Sequence, residues 1–163
     1  MSIKISVIIP VFNDKDNLKK CLRSIFDSSY RDFEVIVIDD GSGDNTQSLS
    51  QEYPCKFINL TKNMGQAYAR NRGVEVSNGE IILFTDADCQ LPKDLVKNIS
   101  LELCRLHNEN NKVAALCCRL ISKDRFIEKV HAYAGYAYIQ NGQKREMGYL
   151  NTACTAIYKD AFI

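Results

Sequence analysis

Two aspartates separated by one residue, Asp86 and Asp88, directly follow the apolar segment 80–85. Carboxylates at this spacing just past a buried strand can hold Mg²⁺ or Mn²⁺, cations that take oxygen ligands and bridge to substrate phosphates. Such a cation can neutralise the charge that develops on a departing diphosphate. Because an Asp-x-Asp tripeptide is common by chance, the alternative is a pair of solvated loop carboxylates, and the interpretation depends on the surrounding motifs.

A second acidic motif, Asp39-Asp40-Gly41-Ser42, follows the apolar segment 33–38. Gly41 permits a tight turn at this point, and a carboxylate there can accept a hydrogen bond from a nucleobase N–H or a ribose hydroxyl. The alternative is an Asx-turn or capping role. We assign that role to one of the two aspartates and the ligand contact to Asp40.

A third motif spans residues 63–73 (NMGQAYARNRG) and predicts the start of a helix at Asn63-Met64-Gly65. The free N–H groups and positive dipole end of a helix N-terminus suit a diphosphate. Arg70 and Arg72 are the candidates to face the phosphates. A packed surface helix with solvated arginines is an equally good interpretation of these two residues.

The elements that must position these motifs alternate between strand and helix patterns. Apolar strands are predicted over residues 3–11, 33–38, 56–60 and 80–85, with a helix after each one. The last of these helices is expected to begin at Pro92, and further strands are expected over 113–121 and 149–158. This order predicts an α/β, Rossmann-like fold with a mostly parallel sheet and helices on both faces.

In such sheets ligands bind at the carboxyl ends of the strands. Asn13-Asp14, Asp39-Asp40 and the pair Asp86 and Asp88 all follow predicted strands. We therefore expect these polar clusters to converge at one edge of the sheet.

Composition excludes several other classes of protein. The 163 residues are 45% apolar and 25% charged, with a net charge of +1, so no nucleic-acid partner is predicted. Seven cysteines without a CxxC pair indicate a reducing compartment. With no signal peptide or membrane-spanning run in the sequence, we expect a cytoplasmic location, with peripheral attachment at the inner face of the cell membrane left open.

Other nucleotide-binding folds lack their motifs here. The first predicted strand is not followed by GxGxxG, and no GxxxxGK[ST] loop occurs. A nucleotidyltransferase would carry a glycine-rich, basic loop after that strand, whereas residues 11–17 (VFNDKDN) contain no glycine.

Together the segments VIIPVFND (7–14), VIVIDDGSGDNT (35–46) and NMGQAYARNRGVEVSNGEIILFTDADCQLPKDLV (63–96) resemble the family 2 glycosyltransferases of the GT-A fold. The resemblance covers residues 3–96 with the motifs in the family's order. It implies an inverting transfer of a sugar from a nucleoside diphosphate sugar, in the first place a UDP-sugar, to an acceptor hydroxyl, with Mn²⁺ or Mg²⁺ as cofactor.

The resemblance also implies roles for individual residues. Backbone atoms of Pro10 and Val11 would line the base and ribose pocket, Asp40 would contact the base, and Asp86 would contact the sugar or ribose. Asp88 would ligate the metal, with Asp86 beside it. The expected nucleotide-sugar-binding set is Pro10, Val11, Asn13, Asp40, Gly65, Arg70, Asp86 and Ala87.

By the same resemblance residues 1–163 form a single GT-A domain. Residues 1–100 are expected to bind the nucleotide sugar, and residues 101–163 to begin an incomplete acceptor half. Segment 151–162 resembles the part of the family that shapes the acceptor side, for a saccharide, lipid-linked or protein acceptor as in polysaccharide biosynthesis. The family's usual base lies in a later acidic motif, so the catalytic base is expected beyond Ile163. A non-catalytic nucleotide-sugar-binding module is the alternative.

Overall fold

The structure, a computed structural model, describes residues 3–109, 115–119, 129–133, 139–140, 143–144 and 154–162. In chain order the elements are β1 (Ile5–Val11), α1 (Lys15–Phe26), β2 (Phe33–Asp39), a 3₁₀ helix (Thr46–Gln51), β3 (Lys56–Asn59), α2 (Gln66–Glu75), β4 (Ile81–Thr85), α3 (Leu95–Glu109), β5 (Ala115–Arg119), β6 (Lys129–Tyr133), β7 (Ile139–Gln140), β8 (Gln143–Lys144), β9 (Cys154–Tyr158) and α4 (Lys159–Phe162).

Seven of these strands form one sheet in the order β3-β2-β1-β4-β9-β5-β6. The first four are mutually parallel, as the sequence predicts. On the far side, β9 runs antiparallel to β4, and β5 and β6 continue in antiparallel pairs. The short strands β7 and β8 pair separately. The parallel half therefore carries the predicted Rossmann-like arrangement, and the antiparallel half extends it.

Alternate residues of the central strands pack against helices on opposite faces of the sheet. Ile5, Val7 and Ile9 of β1 belong to the core that contains the apolar faces of α1 and α3. Ile8 belongs to the second core, formed with α2 and the neighbouring strands. All four side chains are fully buried, and burial of each such side chain contributes about 1.5–3 kcal/mol before entropy costs. This two-sided burial explains the continuous apolar runs of the sequence.

Helix α2 packs against the β1 side chain Ile8 at Gly73. A Cβ atom at this position would stand 2.4 Å from Cγ2 of Ile8, well inside van der Waals contact. The absent side chain lets the helix backbone approach the strand directly.

The amino ends of the strands are joined by a polar network around Glu34. Its Oε1 accepts hydrogen bonds from Ser6 Oγ at 2.6 Å and from the Asn78 backbone N–H at 2.6 Å. Ser6 Oγ in turn accepts from the Gly79 N–H at 2.8 Å. Burial acts to raise the pKa of Glu34, but the hydrogen bonds from Ser6 and Asn78 outweigh it and leave the pKa below its ordinary value. The network fixes the turn before β4.

Two predicted helices differ from the structure. Pro92 does not begin α3; its carbonyl accepts a hydrogen bond from the Leu95 N–H at 2.9 Å, and the helix starts at Leu95. The intervening turn is tied to the end of α1, since the Ser29 N–H donates to the Lys93 carbonyl at 2.9 Å. The helix predicted over 45–52 is a 3₁₀ helix, preceded by Asn45 in the left-handed region at φ 57°.

Among the described helices, none combines the length and the apolar character that crossing a bilayer requires.

Candidate functional site

A cavity of about 510 Å³ opens where β1, β2 and β4 end. These three strands are adjacent and parallel, so the segments that follow them meet at one edge of the sheet. The expected convergence of the three polar clusters is thus confirmed. The cavity is lined by Pro10, Val11, Phe12, Asp14, Asp40, Asn63, Gly65, Gln66, Asp86, Ala87 and Asp88.

Asp40 lies at the back of this cavity and is only 3% exposed. Its Oδ1 accepts a hydrogen bond from the Met64 backbone N–H at 2.7 Å, and its Oδ2 accepts from the Gly65 N–H at 2.8 Å. The carboxylate therefore fixes the segment that begins α2. Since each carboxylate oxygen has two acceptor positions, Asp40 can still receive a donor from a ligand.

Asp39, the other member of the acidic pair, makes the turn. Its Oδ1 accepts a hydrogen bond from the Ser42 N–H, three residues on, at 2.9 Å, so it has the capping role expected for one of the two residues. Gly41 sits in the left-handed region at φ +82°, and a Cβ there would stand 2.8 Å from the Lys62 carbonyl carbon. Glycine is required at this turn on both counts.

Asn13 joins the end of β1 to the turn after β2. Its Oδ1 accepts a hydrogen bond from the Gly43 N–H at 2.8 Å, and its own N–H donates to Ser42 Oγ at 2.8 Å. Asn13 has φ 50°, a left-handed conformation that asparagine tolerates. It does not line the cavity, so its ligand contact stays a prediction, while its described bonds support the loop.

Arg70 is not among the residues that line the cavity, but it contacts Asp86, which does line it. Its Nη2 donates to Asp86 Oδ1 at 2.7 Å, and the two side chains are 11% and 28% exposed. Arg72, the other candidate, pairs instead with the exposed Glu75 on the surface of α2 at 2.6 Å. Of the two arginines, the structure brings Arg70 to the acidic motif.

The acidic motif itself is a tight turn backed by two thiols. The Asp86 carbonyl accepts from the Cys89 N–H at 3.1 Å and from Cys21 Sγ at 3.6 Å, and Cys89 Sγ donates to Asp88 Oδ1 at 3.8 Å. Burial raises the pKa of both thiols. They therefore act as neutral donors that position the motif, not as nucleophiles.

The donor set fits a divalent cation that is bound together with a ligand. Asp86 and Asp88 present hard oxygen donors to the cavity, whereas the described part of the chain contains no group of three or more side chains able to hold a metal ion. Two carboxylates leave coordination positions for phosphate oxygens and water, as Mg²⁺ and Mn²⁺ sites commonly do.

Sequence reasoning did not assign ligand roles to four residues that line the cavity. Phe12 is 47% exposed, which is unusual for an aromatic side chain directly after a buried strand. Asp14, Asn63 and Gln66 complete the wall. Each of the four adjoins a predicted site residue or lies within its motif, so their position at a strand end or helix start was the available signal.

Comparison with known proteins identifies the family of this chain. The model of the glycosyl transferase family 2 matches residues 6–163. The glycosyltransferase AglE of Haloferax volcanii is 38% identical over 92 residues, covering 52% of this chain and 30% of that protein.

Two solved structures are also similar. The mannosyltransferase PcManGT from Pyrobaculum calidifontis, in complex with GDP-Man and Mn²⁺, superposes with a TM-score of 0.67 at 26% identity, over 74% of this chain and 36% of that one. S. aureus TarS 1-349, in complex with UDP-GlcNAc, gives 0.63 at 26% identity, over 73% and 35%. The chain thus spans about a third of the length of these relatives. It belongs to the family 2 glycosyltransferases and has their GT-A fold.

Proposed function

We propose that this chain binds a nucleoside diphosphate sugar and a divalent cation, as the donor part of an inverting glycosyltransferase. The observation that carries the proposal is the cavity at the ends of β1, β2 and β4, in which Asp40, Asp86 and Asp88 face the start of α2. Its position matches the ligand edge of parallel α/β sheets. Relatives that are solved with GDP-Man and with UDP-GlcNAc support a donor of this chemical class.

We propose that the nucleoside end of the donor lies against β1 and β2. Backbone atoms of Pro10 and Val11 would contact the base and ribose, and Asp40 would accept a hydrogen bond from the base. Because an ionised carboxylate only accepts hydrogen bonds, the base must present an N–H at this point. Uracil and guanine both do so, and UDP-sugars are the first donors to test.

We propose that the diphosphate end of the donor lies between α2 and the acidic motif. Gly65 lines the cavity at φ +90° with open space where a Cβ would lie, so a phosphate can approach the backbone there. Asp88 would be the principal metal ligand, and Asp86 would contact the ribose or sugar. The bound cation would act as a Lewis acid on the departing diphosphate.

Isothermal titration calorimetry tests donor binding directly. UDP is expected to bind in the presence of Mn²⁺ and much more weakly without it, with GDP and dTDP as comparisons. The proposal fails if none of the three nucleotides binds under either condition.

Replacement of the principal metal ligand gives a sharper test. Asp88→Ala is expected to abolish the increase in UDP affinity that Mn²⁺ produces, because the remaining carboxylate is held by Arg70. Asp16→Ala is the matched control, since it removes the same charge from the exposed first turn of α1. Equal Mn²⁺ dependence in wild type and Asp88→Ala would exclude Asp88 as the ligand.

The stereochemistry and the acceptor belong to the whole protein. We place the nucleotide-sugar-binding part in residues 1–100 and the beginning of the acceptor part in residues 101–163, with a saccharide, lipid-linked or protein acceptor. ¹H NMR of the transferred sugar would report its anomeric configuration. A product with the configuration of the donor would contradict the inverting reaction.

A further inference from the structure

We propose that Arg70 is a positioning residue that prevents the Asp86–Asp88 pair from holding a divalent cation until a donor diphosphate is present. The inference rests on the proposed function and adds an order of binding to it: the metal is taken up with the nucleotide and not before. It concerns a residue outside the cavity wall, acting through a carboxylate that lines it.

The first support is the geometry of the Arg70–Asp86 pair. The 2.7 Å contact between Nη2 and Oδ1 is short, and the arginine side chain is only 11% exposed. Solvent therefore screens this pair less than the surface pairs of the chain. Arg70 Nη2 also donates to Gln66 Oε1 at 3.4 Å, which ties the guanidinium to the first turn of α2.

The second support is the Arg70 Nε atom, which is buried without a hydrogen-bond partner. A buried unpaired donor is unfavourable, so the guanidinium is not placed to satisfy all of its own hydrogen bonds. Its position is explained by the contact with Asp86, whose backbone is fixed by bonds from Cys21 and Cys89.

The Arg70–Asp86 ion pair reduces the negative charge that the acidic motif presents to a cation. With Asp86 neutralised by Arg70, the acidic motif offers an incoming cation one negative charge fewer than its two carboxylates would carry. A carboxylate pair that has lost this charge is a weaker site for Mg²⁺ or Mn²⁺, which lose their hydration shells reluctantly. A diphosphate supplies the missing negative charge and oxygen ligands, so the metal binds together with it.

Manganese titration of the free protein, followed by electron paramagnetic resonance, tests this inference without any transfer reaction. Arg70→Met is expected to bind Mn²⁺ about tenfold more tightly than wild type in the absence of nucleotide, as removal of one nearby positive charge predicts. The same variant is expected to bind UDP–Mn²⁺ roughly tenfold more weakly, because Asp86 is no longer held and repels the diphosphate.

The controls separate this role from a general loss of structure. Arg72→Met removes the same charge two residues away, from a pair exposed to solvent, and is expected to leave both affinities unchanged. Arg70→Lys retains the charge and is expected to restore the weak binding of Mn²⁺ alone. Should Arg70→Met not fold, Arg70→Gln carries the same expectation.

Changes of opposite sign in the two affinities would support the inference. Equal Mn²⁺ binding by wild type and Arg70→Met without nucleotide would overturn it, as would a loss of both affinities together, which would mark Arg70 as a structural residue. Failure of the proposed function looks different: the wild-type protein would then bind no nucleoside diphosphate, with or without Mn²⁺.

Discussion

Replacement of Asp40 by asparagine separates its structural bonds from its proposed contact with the nucleobase. In the wild type both carboxylate oxygens accept backbone N–H groups, from Met64 at 2.7 Å and from Gly65 at 2.8 Å. Asparagine has nearly the same shape but presents one oxygen and one NH₂ group. One of the two backbone donors must then face another donor.

The expected loss of stability in Asp40→Asn follows from these two hydrogen bonds. A hydrogen bond to a charged acceptor contributes about 1.5–3 kcal/mol, and a buried donor left unpaired costs about 1–3 kcal/mol. Asp40 is only 3% exposed, so water cannot readily replace the lost acceptor. We therefore expect Asp40→Asn to lower the free energy of unfolding by roughly 3 kcal/mol.

Thermal unfolding followed by circular dichroism measures this loss. For a domain of this size about 1 kcal/mol corresponds to 2–4 °C in Tm, so the expected fall is roughly 6–12 °C. Asp39→Asn is the matched control on the neighbouring residue. The side chain of Asp39 makes a single described bond to a backbone N–H, from Ser42, and an asparagine oxygen can retain it.

The outcome that would refute the reasoning is an unchanged Tm for Asp40→Asn. If UDP binding were also lost in that case, Asp40 would act on the ligand alone, and its bonds to the start of α2 would contribute little. A fall in Tm with unchanged UDP affinity would instead reject the base contact and keep the structural role.

Two further predictions concern the sheet. Because the pKa of Glu34 is lowered in the folded protein, its contribution to stability is present above the unfolded pKa of about 4.3 and is lost as the pH falls through the folded value. The Tm difference between wild type and Glu34→Gln should therefore shrink in acid, and a difference independent of pH would contradict this. Gly73→Ala should lower the free energy of unfolding, measured in urea, by about 1–3 kcal/mol, since the new Cβ would lie 2.4 Å from Ile8. An unchanged free energy of unfolding would show that α2 can move away from β1.

The sequence was sufficient for the parallel half of the fold. Strands buried on both faces produce continuous apolar runs, and β1, β2 and β4 were located to within two residues on that basis. The carboxyl ends of parallel neighbours meet at one edge, so the convergence of Asp40, Asp86 and Asp88 followed from topology alone. Their presence in one cavity confirms that inference.

The sequence could not supply contacts between side chains distant along the chain. Nothing in the local pattern distinguishes Arg70 from Arg72, since both are charged residues of one helix. Their difference depends on the rotation of α2 against β1, which the close contact at Gly73 helps to set. The prediction that α3 begins at Pro92 was wrong for a similar reason, because the hydrogen bond from the Ser29 N–H to the Lys93 carbonyl holds the turn after Pro92 outside the helix.

The described bonds also hold the three carboxylates of the proposed site in place. Asp40 is held by two backbone amides, Asp86 by Arg70, and Asp88 by the thiol of Cys89. The carboxylates therefore have defined positions before any ligand arrives, and less ordering remains to be done on binding. Replacement of the side chains that hold these carboxylates, Arg70 and Cys89, should change ligand affinity although the carboxylates themselves remain. The proposed effect of Arg70 on metal binding is the most direct test of that arrangement.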